Sequence, residues 1–337
     1  MLPTDPAPMR LALRLARCGY GFTFTNPMVG AVIVAPSGRV IGRGWHRRYG
    51  GPHAEVNAIR SISPADVSLL PESTIYVTLE PCSHYGKTPP CANLLIEKRL
   101  RRVVVGVRDP FPEVSGRGIR MLREAGIEVT VGVLERECYE LNLPFMRAHE
   151  MGRPFVTLKW ARSADGFIAP AWDGDDAPER VVFSSAQGNL TVHRLRASCQ
   201  GVMVGTRTVL ADNPRLDCRL WPVLNQPVPL LRESARLPED AAVMGRSPVM
   251  RHRDESLSGF LRRLYTEYKM NHILVEGGAE VLREFLEEGL FDALRVETSP
   301  VSLGAGVPAP SYDPSALVLR KSVVCRGNSI LYYLRKD

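Results

Sequence analysis

Pro52-His53-Ala54-Glu55, then Thr74-Ile75-Tyr76-Val77-Thr78-Leu79-Glu80-Pro81-Cys82, then Cys91: this stretch decides how the first half of the chain folds. Residues 74–79 are β-branched, aromatic and apolar, which predicts a strand, and Glu80-Pro81 ends it. Cys82 therefore opens the next loop. Pro52 sits just ahead of a helix expected over residues 54–62, an acceptable place for proline. A second helix is expected over residues 92–96, with Cys91 in its first turn. His53 and Cys91 thus stand at helix N-termini, where partial positive charge keeps a thiolate ionised. One imidazole and two thiols are three ligands of the kind Zn²⁺ takes. Three rather than four leaves a position open for water.

Glu55 is two residues from His53, close enough to reach that water without ligating the metal. The order H-x-E…P-C matches a signature of zinc nucleobase deaminases, whose second half is P-C-x-x-C. Here the two cysteines are separated by Ser83-His84-Tyr85-Gly86-Lys87-Thr88-Pro89-Pro90. A metal lowers the pKa of bound water to about 7. Glu55 would take that proton and pass it to a ring nitrogen, then to departing ammonia. A purely structural zinc would want a fourth ligand. His84 is available for that, but Glu55 would then have no role.

Outward from this stretch, strands and helices alternate. Residues 10–19 carry Leu11, Leu15 and Cys18 at helical spacing, and Gly19 is a stop signal. Residues 31–34 and 40–44 flank Ser37-Gly38 and read as two strands joined by a tight turn. Strands are expected again over 103–107 and 127–131, with a helix running to Ala125. The alternation predicts a three-layer α/β/α domain with a mixed sheet. Residues 135–153 are mixed and polar. The boundary falls near Gly152-Arg153-Pro154, dividing 1–150 from 151–337. The second half restarts with a strand over 155–160, a helix around 193–197 and a strand over 201–205. A strand over 272–276 ends at Gly277-Gly278; a helix over 280–286 and a strand over 293–298 follow. This is α/β again. Residues 172–179 and 221–238 are loop-rich.

The chain has 337 residues, which at roughly 100–200 residues per domain suggests two domains. Its hydrophobic content of 45% supplies two cores. No run of about 18 apolar residues occurs, so a membrane span is not expected. The N-terminus lacks a basic start followed by an apolar run, so the expected location is the cytoplasm. The 7 cysteines are odd in number and scattered, against a disulfide framework. Apart from Cys82 and Cys91, they are expected to be free and mostly buried. The net charge of +7 suits a polyanion or a phosphorylated small substrate. The densest basic run, residues 98–102, reads as a solvated helix end.

Asn26-Pro27-x-Val29-Gly30, Pro52-His53-Ala54-Glu55 and the segment from Thr78 to Cys91 resemble the bifunctional riboflavin-biosynthesis deaminase/reductase family. The long loop between Cys82 and Cys91 is that family's own variant. The resemblance covers nearly the whole chain and is strongest over residues 26–120. It implies a cytidine-deaminase-like N-terminal domain and a dihydrofolate-reductase-like C-terminal α/β domain. It implies deamination of a diaminopyrimidinone ribosylamino phosphate, followed by NADPH reduction of its ribose to ribitol. Carried over, His53, Cys82 and Cys91 hold zinc, and Glu55 is catalytic. Asn26, His46, His84, Lys87 and Asp109 line the pyrimidine and phosphate pocket. A lysine suits phosphate as a point charge, and Asn26 offers donor and acceptor to a ring edge.

The second half contains no Gly-x-Gly-x-x-Gly, so nicotinamide binding would not follow the usual dinucleotide fingerprint. Arg196 and Arg219 are phosphate partners by type, and Asp212 is a polar anchor. Gly277-Gly278 could offer backbone amides to a phosphate at a helix start. The resemblance adds that Lys159, Ala161, Thr208, Asp212, Gly277 and Gly278 serve the cofactor. It gives Arg196, Leu216, Arg219 and Glu276 to the substrate. Two segments depart from the family pattern. Val181-Val182-Phe183-Ser184 stands where a Trp-Ile-Thr type is usual. Pro229 stands in a usual strand and reads as a strand breaker.

Two other readings stand beside the two-step enzyme. One keeps the deaminase and makes the second domain a scaffold with weak or no reductase activity. The other is a nucleic-acid-acting zinc deaminase, disfavoured because the basic residues are dispersed without interleaved aromatics. The expected partner is a phosphorylated pyrimidine, with no membrane, and the expected assembly is a homo-oligomer.

Overall fold

A five-stranded mixed sheet organises the first half of the chain. Its strands are β1 (Gly30–Val34), β2 (Val40–Trp45), β3 (Thr74–Leu79), β4 (Arg102–Val107) and β5 (Glu128–Val131), in the order β2-β1-β3-β4-β5. β1 is antiparallel to both its neighbours, whereas β3, β4 and β5 run parallel. The helices are α1 (Pro6–Ala16), α2 (Ala54–Arg60), α3 (Cys91–Glu97), α4 (Arg117–Glu124), α5 (Glu135–Leu141) and α6 (Leu143–Met151). Successive strand residues point to opposite faces, so each central strand feeds two cores. Ile33, Ile75, Val77, Val103 and Val105 pack against α2, α3 and α4. Val32, Tyr76 and Val104 face the other way, onto α1, α5 and α6. Burial on both faces is why these strands read as continuous apolar runs.

Coordinates come from a computed structural model that describes residues 6–83, 89–111, 115–171, 181–232, 237–252 and 254–336. The chain divides into two compact units between Glu150 and Met151. In the first unit, glycine lets two helices approach the sheet backbone. A Cβ on Gly30 would lie 2.0 Å from the Ala12 carbonyl oxygen, and one on Gly44 would lie 2.3 Å from the Ala58 nitrogen. The polar stretch 135–153 is largely helical. Few of its residues are buried (Cys138 in α5, Asn142 between the helices, Met146 and Ala148 in α6), too few to show a helical stripe. The first helix begins earlier than its spacing predicts, at Pro6, and its end tightens into a 3₁₀ turn over Arg17–Gly19.

The second unit is built on an eight-stranded sheet. In chain order its elements are β6 (Phe155–Arg162), β7 (Phe167–Ala169), α7 (Ala186–Arg196), β8 (Gly201–Gly205), α8 (Thr206–Asp212), β9 (Val228–Arg232), β10 (Val249–Arg251) and α9 (Leu257–Thr266). Then follow β11 (His272–Gly277), α10 (Ala279–Glu287), β12 (Ala293–Thr298), β13 (Val307–Pro308), β14 (Leu317–Cys325) and β15 (Asn328–Arg335). The sheet order is β10-β9-β8-β11-β6-β12-β15-β14, with β7 and β13 paired apart. Strands β10 to β12 in that order are parallel; β15 and β14 close the edge as an antiparallel hairpin. One face packs on α9 and α10 through Leu158, Trp160, Val275 and Val296. The hairpin was not anticipated because β14 is mostly exposed and shows no apolar alternation.

Pro229 does not break its strand; it lies inside β9, opposite Val202 of β8. The Val228 N–H points toward β8, to the Gln200 carbonyl at 2.8 Å, so the next residue points the other way. On that side the ladder to β10 begins only at Leu230. The donor that proline lacks therefore falls where no ladder bond is due. The expected loop over 172–179 lies outside the described residues.

Candidate metal centre and a second candidate site

Three elements deliver the candidate metal-ligand side chains. His53 is the residue before α2, in an extended conformation, Cys91 opens α3, and Cys82 lies just past the end of β3. They meet at the C-terminal end of the parallel strands, where ligands sit in open α/β sheets. The His53 Nδ1 is 3.5 Å from the Cys82 Sγ and 3.3 Å from the Cys91 Sγ. All three donor atoms lie within 4.8 Å of one another, the only such His/Cys/Asp/Glu group among the described residues. A tetrahedral zinc with bonds of about 2.0–2.1 Å to nitrogen and 2.3 Å to sulfur needs N···S edges of roughly 3.5 Å. The donor set and its spacing fit that ion.

The protonation pattern is that of a cluster ready to exchange protons for a metal. A hydrogen bond between the two sulfurs lets one proton serve both, pushing the Cys82 thiol down and the Cys91 thiol up. The Cys82 contact raises His53 to about 9. Zinc takes both thiolates and a neutral imidazole, so its binding releases these protons. Glu55 is 3% exposed and is pushed up to about 7, first by burial and next by the Cys82 thiolate. Its carboxyl meets the Cys91 thiol, which places it beside the cluster without being one of the three donors.

A rigid polar wall stands behind His53. The His46 ring lies edge-on to it, with centroids 5.5 Å apart. The Pro52 carbonyl can only accept, so His46 donates to it from Nδ1 at 3.1 Å and accepts from the Asn26 amide at Nε2 at 3.2 Å. Burial pushes the His46 pKa down, which keeps that neutral tautomer. Asn57 donates to the Pro52 and Trp45 carbonyls. Asn142, far along the chain, holds Met28 by both backbone groups, at 2.8 Å each. Sequence reading missed Asn142 because nothing local distinguishes it. It also missed Glu80, whose signal would have been a carboxylate just past the end of an almost wholly buried strand. Asp109 accepts from the Phe111 N–H at 2.9 Å. His84 and Lys87 lie outside the described residues.

The second site gathers at the C-terminal end of β11. Arg196 of α7 forks onto Glu276, with Nε and Nη2 at 2.5 and 2.7 Å from the carboxylate oxygens. Its Nη1 donates to the Asp217 carbonyl at 2.7 Å. Lys159 lies 4.0 Å from the same carboxylate. Although burial pushes Glu276 up, the Arg196 guanidinium outweighs it and holds the carboxylate at about 2. Arg196 is thus committed inside the protein. Arg219, ion-paired to Asp217, keeps a half-exposed side chain. Leu216 is buried with a positive φ of 50°. His193 ties the loop down, accepting the Arg219 N–H at Nδ1 and the Cys218 thiol at its carbonyl. Gly277 and Gly278 take φ values of 154° and 70° before α10, conformations that favour glycine. A Cβ on Gly278 would lie 3.2 Å from the Thr208 hydroxyl. Asp212 is exposed at the end of α8. Ala161 pairs with Glu297 across β6 and β12. Glu297 and Arg295 form a fully buried ion pair at 3.0 Å that sequence reading also missed.

Fold and site together define a two-domain α/β protein. Its first unit carries the zinc-binding region of cytidine and deoxycytidylate deaminases, a family model that matches residues 3–107. A second model, the RibD C-terminal domain, matches residues 154–328, and this chain belongs to the RibD family of riboflavin-biosynthesis proteins. The riboflavin biosynthesis protein RibD of Aquifex aeolicus is 35% identical over 97% of both chains. The Acinetobacter baumannii RibD structure superposes with a TM-score of 0.89 over 100% of both chains at 31% identity. A Thermotoga maritima diaminohydroxyphosphoribosylaminopyrimidine deaminase/5-amino-6-(5-phosphoribosylamino)uracil reductase covers 98% of both chains at 34% identity, with a TM-score of 0.84. The architecture is accordingly cytidine-deaminase-like in the first unit and that of the RibD C-terminal domain in the second. Among the described residues no helix is long and apolar enough to cross a membrane.

Proposed function

We propose that the first unit, residues 1–150, hydrolytically deaminates a diaminopyrimidinone ribosylamino phosphate, and that the second, residues 151–337, reduces the ribose of the product to ribitol with NADPH. The carrying observation is the His53, Cys82 and Cys91 cluster with the Glu55 carboxyl buried against it. Bound zinc would supply a water acidic enough to ionise near neutral pH. Glu55 moves the protons: its carboxylate takes one from the water, gives it to the ring nitrogen, and carries the next to the departing ammonia. The exchange is balanced, one water consumed and one ammonia released as C–NH₂ becomes C=O. His46 and Asn26 orient the ring, and Asp109, His84 and Lys87 complete the pocket.

In the second unit NADPH would supply the hydride. Thr208, Asp212, Lys159, Ala161 and the Gly277-Gly278 amides hold that cofactor. Glu276 is a fixed anion facing the sugar hydroxyls, Arg196 keeps it charged, and Arg219 takes the phosphate beside Leu216. Two assays test the proposal. Zinc-loaded protein should release ammonia from the phosphorylated pyrimidine without any nicotinamide. It should then oxidise NADPH when given the deaminated product. Folded, zinc-loaded protein that releases no ammonia rejects the first step. Absence of NADPH oxidation rejects the second, and leaves the domain as a scaffold.

A further inference from the structure

Glu80 is almost fully buried just past the end of β3, two residues before Cys82. Its backbone N–H donates to the Val107 carbonyl of β4 at 3.0 Å, which sets the direction of its side chain. The carboxylate then accepts three backbone N–H groups from another part of the unit. Oε2 takes Asp109 at 3.3 Å and Gly116 at 3.0 Å, and Oε1 takes Ile119 at 3.3 Å. Ile119 is the third residue of α4, so its N–H has no partner within the helix, and Glu80 caps α4 from outside. The approach is close: a Cβ on Gly118 would lie 2.1 Å from the Pro81 carbonyl oxygen. The Asp109 end is held a second time, because the Phe111 ring packs edge-on to His149 with centroids 5.4 Å apart.

We propose that Glu80 is a positioning residue of the deaminase site, fixing Asp109 and the start of α4 against the strand end that carries Cys82. The inference rests on the function proposed above, since it takes Asp109 to face the substrate. Glu80 ligates nothing and touches no reacting atom. It joins the metal side of the site to its substrate side through three hydrogen bonds from backbone N–H groups. An apolar side chain here would leave those N–H groups buried without acceptors, and the Asp109 segment would lose its register.

The test uses the full zinc-loaded chain with Glu80→Gln and Glu80→Ala. Glu80→Ala should raise KM for the phosphorylated pyrimidine by about tenfold or more, the scale of one lost hydrogen bond to a charged group. kcat should change much less, and zinc should stay at one equivalent per chain. Glu80→Gln, which keeps an acceptor oxygen, should recover most of the loss. Added to Asp109→Ala, Glu80→Ala should raise KM no further. Additive effects, a fall in kcat at unchanged KM, or loss of zinc in step with activity would overturn the inference. Amide exchange gives a readout independent of turnover. At least one of the Asp109, Gly116 and Ile119 amides should exchange faster in Glu80→Gln, which accepts through one oxygen only, and all three should be unchanged in Glu55→Gln, even if the pyrimidine is not the substrate. Unchanged exchange in Glu80→Gln, the milder variant should Glu80→Ala fail to fold, would also overturn it.

Discussion

Glu55 and Glu276 are both buried carboxylates, one in each unit, and they are driven in opposite directions. Glu55 is pushed up to about 7 because burial and the Cys82 thiolate both disfavour its charge, and His53 with hydrogen bonds from the backbone and the Cys91 thiol only partly opposes them. Glu276 is held at about 2 because Arg196 grips both its oxygens and Lys159 stands nearby. The difference teaches that burial alone does not set a carboxylate's role; the cation facing it does. An uncompensated carboxylate is poised to exchange a proton. A forked one is a permanent anion that can orient a ligand but not relay protons near neutral pH.

The sharpest way to break this contrast is Glu55→Gln. Ammonia release should fall by about 10²–10⁴-fold, the usual contribution of a general acid–base group. Zinc content measured by metal analysis should stay the same, and NADPH oxidation by the second unit should be untouched. A fully active variant would remove Glu55 as proton carrier. Glu276→Ala should instead unfold more than it inactivates selectively. It leaves Arg196 buried and unpaired, a loss of about 3–5 kcal/mol in denaturant unfolding of the second unit. If Glu55→Gln destabilised its unit as much, the two carboxylates would not differ as described.

A third buried group extends the comparison to pH. His272 donates from Nδ1 to the Ser198 carbonyl and accepts from the Thr157 hydroxyl at Nε2, and burial pushes its pKa down to about 4. Its protonation is therefore disfavoured in the folded state. The stability this contributes is full above the unfolded value of about 6.5 and falls as pH drops toward 4. The loss across that window is on the order of 3 kcal/mol. The Glu276 contribution is also lost with acid, but lower, between about 4.5 and 2. Urea titrations at stepped pH should show the first window in wild type and lose it in His272→Asn. A smaller effect sharpens the first unit: Gly118→Ala should cost about 1–3 kcal/mol in thermal unfolding through overpacking against Pro81. A neutral result would mean that α4 is free to shift away from the Cys82 segment.

Much of the metal centre was legible because its chemistry is local. His53 and Glu55 share one short segment, and each cysteine flanks a recognisable element, so residue type and spacing reported the donor set. Central strands were legible for the same reason: burial on both faces leaves an apolar run. Pro229 misled because a ladder position without a facing partner cannot be read from one strand alone. Helices α5 and α6 were missed because they bury too little to print a period.

Sequence alone determined which side chains were available to bind a metal, where strands and helices alternate, and that the chain holds two α/β domains. Tertiary structure decided which charges are compensated. Arg196 meets Glu276 from 80 residues away, Asn142 grips Met28 from 114, and Glu80 caps a helix beginning 37 residues later. The physical reason is that propensity and periodicity act over a few residues. Desolvation and the pairing that offsets it depend on what the folded chain brings alongside.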